Sequence, residues 1–216
     1  MDPEVPWADT PFKLIPTPGS GQNLSNLDNI TFVAREMACA HNGMLRALNS
    51  IYQQCVFVKK PLDIQDLFLY TGFWCDWIHQ HHEGEEAILF PKIEEITGIK
   101  GLMEVNFNQH HAFLDGLTGL QKYVKETSVE GYDGLMVTGI IDEFGAKLTQ
   151  HLTDEIQTLL SLNPNHGVAL RKACMEFDAE MRKGDKVRAC FAVKVQISEV
   201  PCIEGHLHRI KDDCVL

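Results

Sequence analysis

The 216-residue chain lacks several features that would place it in a common class of protein. No window approaches about 18 consecutive apolar residues, so no transmembrane helix is expected. Basic residues are few, with 19 Lys and Arg against 30 Asp and Glu for a net charge of −11, and this deficit argues against nucleic acid or an anionic membrane as a partner. The seven cysteines form no CxxC pair, which indicates reduced thiols rather than a disulfide framework or a zinc knuckle.

Familiar catalytic and targeting motifs are also missing. The sequence contains no GxSxG, no phosphate-binding loop and no GxGxxG. Its first residues, MDPEVPWADTPFKLIPTP, carry acids and prolines where a signal peptide needs a basic start and an apolar core, so the sequence predicts a cytoplasmic protein. Histidine is the abundant exception: seven of the ten histidines lie between positions 41 and 151.

The hydrophobic pattern predicts an all-α protein. Apolar residues recur at helical spacing over about 27–58, 64–96, 102–126 and 135–162, with Pro91 expected to kink or stop the second run. Four long helices with short connections form an antiparallel up-down-up-down four-helix bundle. We therefore predict an N-terminal arm over 1–28, the bundle over 29–162 and a C-terminal extension over 163–216. The extension is predicted to hold a short helix at 168–183 and an irregular or extended segment around 187–203.

Each predicted bundle helix carries a histidine within its apolar stripe. These histidines are His41, His82, His110 and His151, and on two helices a glutamate, Glu86 or Glu155, follows one turn later. An unpaired buried polar group costs about 1–3 kcal/mol, and coordination of a metal removes that penalty. Nitrogen and oxygen donors without thiolate suit iron or manganese, with zinc as an alternative. The pattern predicts a two-metal site with carboxylate bridges, as found in carboxylate-rich helix bundles.

Four short segments occur in a recognisable order between about residues 30 and 160. They begin at His41-Asn-Gly-Met and continue with HHEGEEAILFP, QHHAF and HLTDE. With these segments, and with the WADTPF sequence near the N-terminus, the chain resembles fungal members of the hemerythrin superfamily in its HHE cation-binding branch. The resemblance implies two non-haem iron ions as the cofactor and dioxygen as a ligand or co-substrate.

The match between this sequence and the metal ligands of the family is open or incomplete at three places. The second helix offers either His81 with Glu85 or His82 with Glu86, and its apolar stripe and the neighbouring Leu89-Phe90 favour the second pair. In oxygen-carrying hemerythrins the third helix has two histidines one turn apart, but here Asn106 stands one turn before His110, so one of the five histidines of the carriers is missing. An iron-sensing member of the superfamily has an additional carboxylate ligand at the position of Glu83, which is included among the candidate metal ligands.

Two classes of function follow from the resemblance. The missing histidine and the C-terminal extension favour a di-iron oxidoreductase or oxygenase that oxidises a small organic substrate of the secondary-metabolite type. The alternative is an oxygen carrier or store, or an iron-sensing module, without turnover. The expected partners are dioxygen and a small organic molecule, and the sequence indicates no catalytic residue beyond the metal ligands.

Overall fold

The computed structural model describes residues 7–183, which consist of helices and the turns between them. A π-helical turn, Glu85–Leu89, joins the second helix to the third. The α-helices are α1 (Asn29–Gln54), α2 (Pro61–Gly84), α3 (Phe90–Thr97), α4 (Glu104–Glu126), α5 (Gly134–Leu160) and α6 (Gly167–Met181).

Local sequence signals explain where the helices begin and end. Asp28 caps α1 by accepting hydrogen bonds from the backbone N–H groups of Ile30 and Thr31, and Asp133 caps α5 by accepting one from the Leu135 N–H. Proline stands first in α2, where a missing N–H costs nothing. The helix α3 ends at Gly98, whose φ of 71° is the left-handed conformation that glycine adopts without strain.

The bundle consists of α1, α2 with its continuation α3, α4 and α5, and α6 packs against α1 and α3. The predicted all-α fold with a helical C-terminal extension is confirmed. The second predicted helix runs through α2, the π turn and α3. In the π turn the Phe90 N–H donates to the Glu85 carbonyl, so the helix is irregular directly before Pro91, where the sequence predicted a kink or a stop. The irregular segment predicted around 187–203 lies outside the described residues.

The described part of the N-terminal arm is attached to α1 by two buried asparagines. Asn42 accepts a hydrogen bond from the Ile15 N–H at 2.8 Å and donates to the Ile15 carbonyl at 2.9 Å. Asn49 makes the same kind of paired contact with the backbone of Phe12. The two asparagines thus pair the backbone polar groups of Phe12 and Ile15 and hold the arm against one side of α1. Among the helices of residues 7–183, none has the length and apolar character required to cross a membrane.

The helices α4 and α5 pack closely at Gly116, where a Cβ atom would lie 2.6 Å from the Cβ of Phe144. We expect Gly116→Ala to lower the free energy of unfolding by about 1–3 kcal/mol, because the two helices must move apart in a close-packed core. Gly119→Ala is the matched control, since nothing lies within 4 Å of its Cβ position and alanine is the better helix former. Urea unfolding followed by circular dichroism measures both, and equal stabilities would contradict the prediction.

Candidate metal centre

Seven histidine and glutamate side chains meet inside the bundle, and none is more than 6% exposed. They come from α1, α2, the π turn, α4 and α5, so that every long helix of the bundle contributes. The seven are His41, His81, His82, Glu85, His110, His151 and Glu155.

The potential ligand atoms form two groups that share Glu85. One group contains His82, Glu85, His110 and His151, and the other contains His41, His81 and Glu85; within each group the atoms lie within 4.8 Å of one another.

The interatomic distances show how close the histidines of each group lie. The Nε2 atoms of His110 and His151 are 3.1 Å apart, and those of His41 and His81 are 3.3 Å apart. Lone pairs brought this close need either protons or a cation between them.

Two carboxylates lie between the histidine groups. Glu85 Oε1 is 2.8 Å from His81 Nε2, while Glu85 Oε2 is 3.7 Å from His110 Nε2. Glu155 Oε2 is 3.7 Å from His41 Nε2 and 3.6 Å from His151 Nε2. Each carboxylate thus faces one histidine from either group, which is the arrangement that a bridging ligand between two ions requires.

The outer nitrogens of three histidines are held by groups around the cluster. His41 Nδ1 lies 2.9 Å from the Leu152 carbonyl, and His110 Nδ1 lies 2.6 Å from Glu86 Oε1. His151 Nδ1 has a longer contact, 3.4 Å, with the side-chain oxygen of Gln109. An Nδ1–H that donates to these oxygens leaves the Nε2 lone pair directed into the cluster, which is the tautomer that binds a metal through Nε2.

Five of the residues proposed from the sequence lie in the buried cluster: His41, His82, His110, His151 and Glu155. The other two lie outside it. The Glu86 side chain is 31% exposed and contacts His110 from the solvent side, and Glu83 is exposed and belongs to neither ligand group.

His81 and Glu85 are the cluster members that the favoured sequence register left out. The sequence did indicate them through the alternative pairing on α2, in which Glu85 follows His81 by one turn. Both registers contribute because the buried stripe of α2 is wide: Ile78 lies near its middle, and the adjacent His81 and His82 lie on its two sides. Their rings are 5.3 Å apart and nearly perpendicular, and each belongs to a different ligand group.

The donor set fits metal ions on two observations. Both ring nitrogens of His82 and both carboxylate oxygens of Glu155 are buried without a hydrogen-bond partner. Burial also raises the pKa values of Glu85 and Glu155 well above their ordinary range, and it lowers those of His41, His82 and His151 well below theirs. Cations at the two groups would satisfy these atoms and stabilise the ionised carboxylates, while neutral imidazole is already the ligating form.

The lowered histidine pKa values predict acid sensitivity of the metal-free protein. Burial lowers the pKa of all five cluster imidazoles, that of His81 to about 4, against about 6.5 in the unfolded chain. The unfolded chain therefore binds more protons at these sites as the pH falls from 6.5 towards 4. The raised pKa values of Glu85 and Glu155 have the opposite effect on the stability. The effect of the five imidazoles is larger, because there are only two carboxyls.

We expect the free energy of unfolding of chelator-treated protein to fall between pH 7 and pH 5 by more than about 1.4 kcal/mol per pH unit, the slope for one net proton. Urea unfolding at pH 7, 6 and 5 measures this slope. A stability that is constant or that rises on acidification would show that the histidines are not buried as neutral groups.

Comparison with known proteins gives two matches. The family model of the hemerythrin HHE cation binding domain matches residues 34–162. A curated relative, the Dimeric xanthone biosynthesis cluster protein of Cryptosporiopsis sp. (strain 8999), is 40% identical over 158 residues, which make up 72% of this chain and 60% of that protein. The match thus spans about 60% of the length of the relative. No solved structure matches the chain.

Proposed function

The chain belongs to the hemerythrin HHE cation-binding family, and on this premise we propose that it is a non-haem di-iron protein that binds or activates dioxygen and oxidises a small organic substrate. The proposal rests on six buried residues with nitrogen or oxygen donors, which form two groups that share Glu85, and on the buried Glu155, which faces one histidine of each group. Such a donor set suits iron, with manganese or zinc as the alternatives.

The two groups would hold the ions unequally. His82, His110 and His151 would bind one ion, and His41 and His81 the other, with Glu85 and Glu155 facing both. The bound ions supply redox and Lewis-acid chemistry. Counting both carboxylates, five protein donors would face the first ion and four would face the second. For octahedral ions both counts would fall short of six and would leave positions for exogenous ligands.

Aromatic side chains around the cluster exclude bulk water. The Phe113 ring centroid lies 5.0 Å from that of His82, Phe90 stacks on His110 at 5.6 Å, and Phe177 of α6 lies 6.1 Å from His81. A low local dielectric strengthens every charge interaction inside the site. It also protects reactive oxygen chemistry from side reactions with water.

An oxidising enzyme needs a place for its organic substrate, and a surface groove lies on the outer side of α2, the helix that carries His81 and His82, although no residue of the cluster lines it. It runs between the C-terminal ends of α2 and α6, and it is lined by Gln80, Glu83, Gly84, Glu180, Met181 and Lys183. Gln80 and Glu83 flank the two histidines of α2 in the chain. The relative is named for a xanthone biosynthesis cluster, which supports a secondary-metabolite type of substrate for this chain.

An oxygen carrier is the second candidate, and one observation favours it. His81, the second histidine of α2 in the cluster, adds a fifth imidazole to the four predicted, so that the number of histidines equals that expected of oxygen carriers, although the fifth comes from α2 instead of α4. The two candidates differ in whether dioxygen is consumed.

The test uses protein loaded anaerobically with two equivalents of iron(II) and then exposed to air. The proposal predicts an absorption band that forms and then decays irreversibly, and that decays faster with an added hydroxylated xanthone. A band that persists and disappears under vacuum would support the carrier instead. Failure to bind iron would contradict both.

A further inference from the structure

Asn106 is a buried amide with no partner among the described residues. Its side chain is 0% exposed, and neither its oxygen nor its nitrogen makes a hydrogen bond. The buried asparagines of α1 behave differently, since Asn42 and Asn49 are both fully engaged with the N-terminal arm. A buried donor or acceptor left unpaired costs about 1–3 kcal/mol. Asn106 therefore lowers the free energy of unfolding of the protein when no metal or exogenous ligand is bound.

The helix geometry places Asn106 beside the metal centre. It precedes His110 by one turn of α4 and therefore lies on the same face of that helix. The helices α4 and α5 are antiparallel, and His110 lies opposite His151, since their Nε2 atoms are 3.1 Å apart. One turn along each helix from that pair, Asn106 lies level with Glu155.

Glu155 is a second buried polar side chain on this side of the cluster that has no hydrogen-bond partner. It is completely buried, and both of its oxygens lack hydrogen-bond partners. A metal ion satisfies a carboxylate but not an amide nitrogen, which needs an acceptor. The side of the cluster bounded by Asn106 and Glu155 thus contains an unused hydrogen-bond donor next to potential metal ligands.

We propose that Asn106 binds the exogenous ligand of the metal centre by donating a hydrogen bond from its Nδ2–H group. The ligand is a small oxygen- or nitrogen-donor molecule or anion, such as water, hydroxide or azide. This inference rests on the two-metal site proposed above. Asn106 is a positioning residue for that ligand, and the family resemblance provides a histidine, not an amide, at its position.

The experiment measures azide binding to the iron-loaded, oxidised protein through the ligand-to-metal absorption band. Asn106→Leu has the same branched side-chain shape, with methyl groups in place of the amide oxygen and nitrogen, but no donor. We expect it to retain two irons per chain and to bind azide at least about tenfold more weakly. Asn106→Ala serves as a second variant if the leucine variant does not fold, with the same expected loss.

Thr71→Val is the matched control. Thr71 is also buried on α2 with an unpartnered hydroxyl, but it lies ten residues before His81, away from the cluster. Both Asn106→Leu and Thr71→Val should raise the unfolding midpoint of the chelator-treated protein, since each removes an unpaired buried group. Only Asn106→Leu should change the azide affinity.

Two results would overturn the role of Asn106. Unchanged azide affinity in Asn106→Leu would show that the amide does not contact the exogenous ligand. Loss of an iron from that variant would make Asn106 a ligand of the metal itself. Wild-type protein that binds no pair of irons would contradict the proposed function as well, so the two failures are distinguishable.

Discussion

Glu85→Ala is expected to remove metal from both positions, whereas Glu86→Ala should leave two ions per chain at saturating metal. Glu85 is completely buried and belongs to both ligand groups, with one oxygen facing His81 and the other facing His110. Glu86 contacts only the outer nitrogen of His110. Losing such an outer partner weakens metal binding about 10–100-fold without removing a ligand. Metal content per chain, measured by mass spectrometry after loading and desalting, distinguishes the two.

This pair of variants is internally controlled, because the residues are adjacent and carry the same side chain. Circular dichroism of each variant verifies that the bundle is intact. If Glu86→Ala loses both ions and Glu85→Ala retains them, the register in which His82 pairs with Glu86 is the functional one. The assignment of Glu85 as the shared ligand would then be wrong.

Metal loading is expected to raise the unfolding temperature by roughly 15–30 °C. An ion present at a thousandfold excess over its dissociation constant stabilises the folded state by about 4 kcal/mol, so two ions add about 8 kcal/mol. For a chain of this size, 1 kcal/mol corresponds to about 2–4 °C. The large effect has a local cause, since the ions compensate buried groups, such as both oxygens of Glu155, that have no partner otherwise.

Differential scanning calorimetry of chelated and iron(II)-loaded protein under nitrogen measures this shift. His151→Ala is the control, because it removes a completely buried member of the three-histidine group, and its shift should be much smaller. If wild-type protein and His151→Ala are stabilised equally by iron, the ions bind elsewhere on the chain.

The fold was predictable because its signal is spread over many residues. The apolar period of each long helix tolerates several uncertain positions, and the caps at Asp28 and Asp133 mark helix starts independently. The packing of α6 against α1 and α3 was not predictable in this way. It depends on the surfaces of three elements that are far apart in the chain, and a short amphipathic helix does not specify its partner.

The candidate site was predictable in kind but not in every residue. His41 and His151 were identified without ambiguity, because each is the one histidine on its helix. His110 was chosen over the adjacent His111 because His110 lies in the apolar stripe of its helix. On α2 two consecutive histidines lie on a wide buried stripe, and a helical period of 3.6 residues does not choose between Glu85 and Glu86 as the inward carboxylate. Only the packing of α2 against its neighbours, with the π turn that follows Gly84, distinguishes them.

If Glu85 bridges two metal ions, an anomalous difference map from iron-loaded crystals will show both of them. We expect two peaks per chain, roughly 3.5–4 Å apart as in other dinuclear sites. One peak should lie next to His110 and His151 and the other next to His41 and His81. A single peak, or peaks away from these histidines, would show that Glu85 does not bridge a two-metal centre.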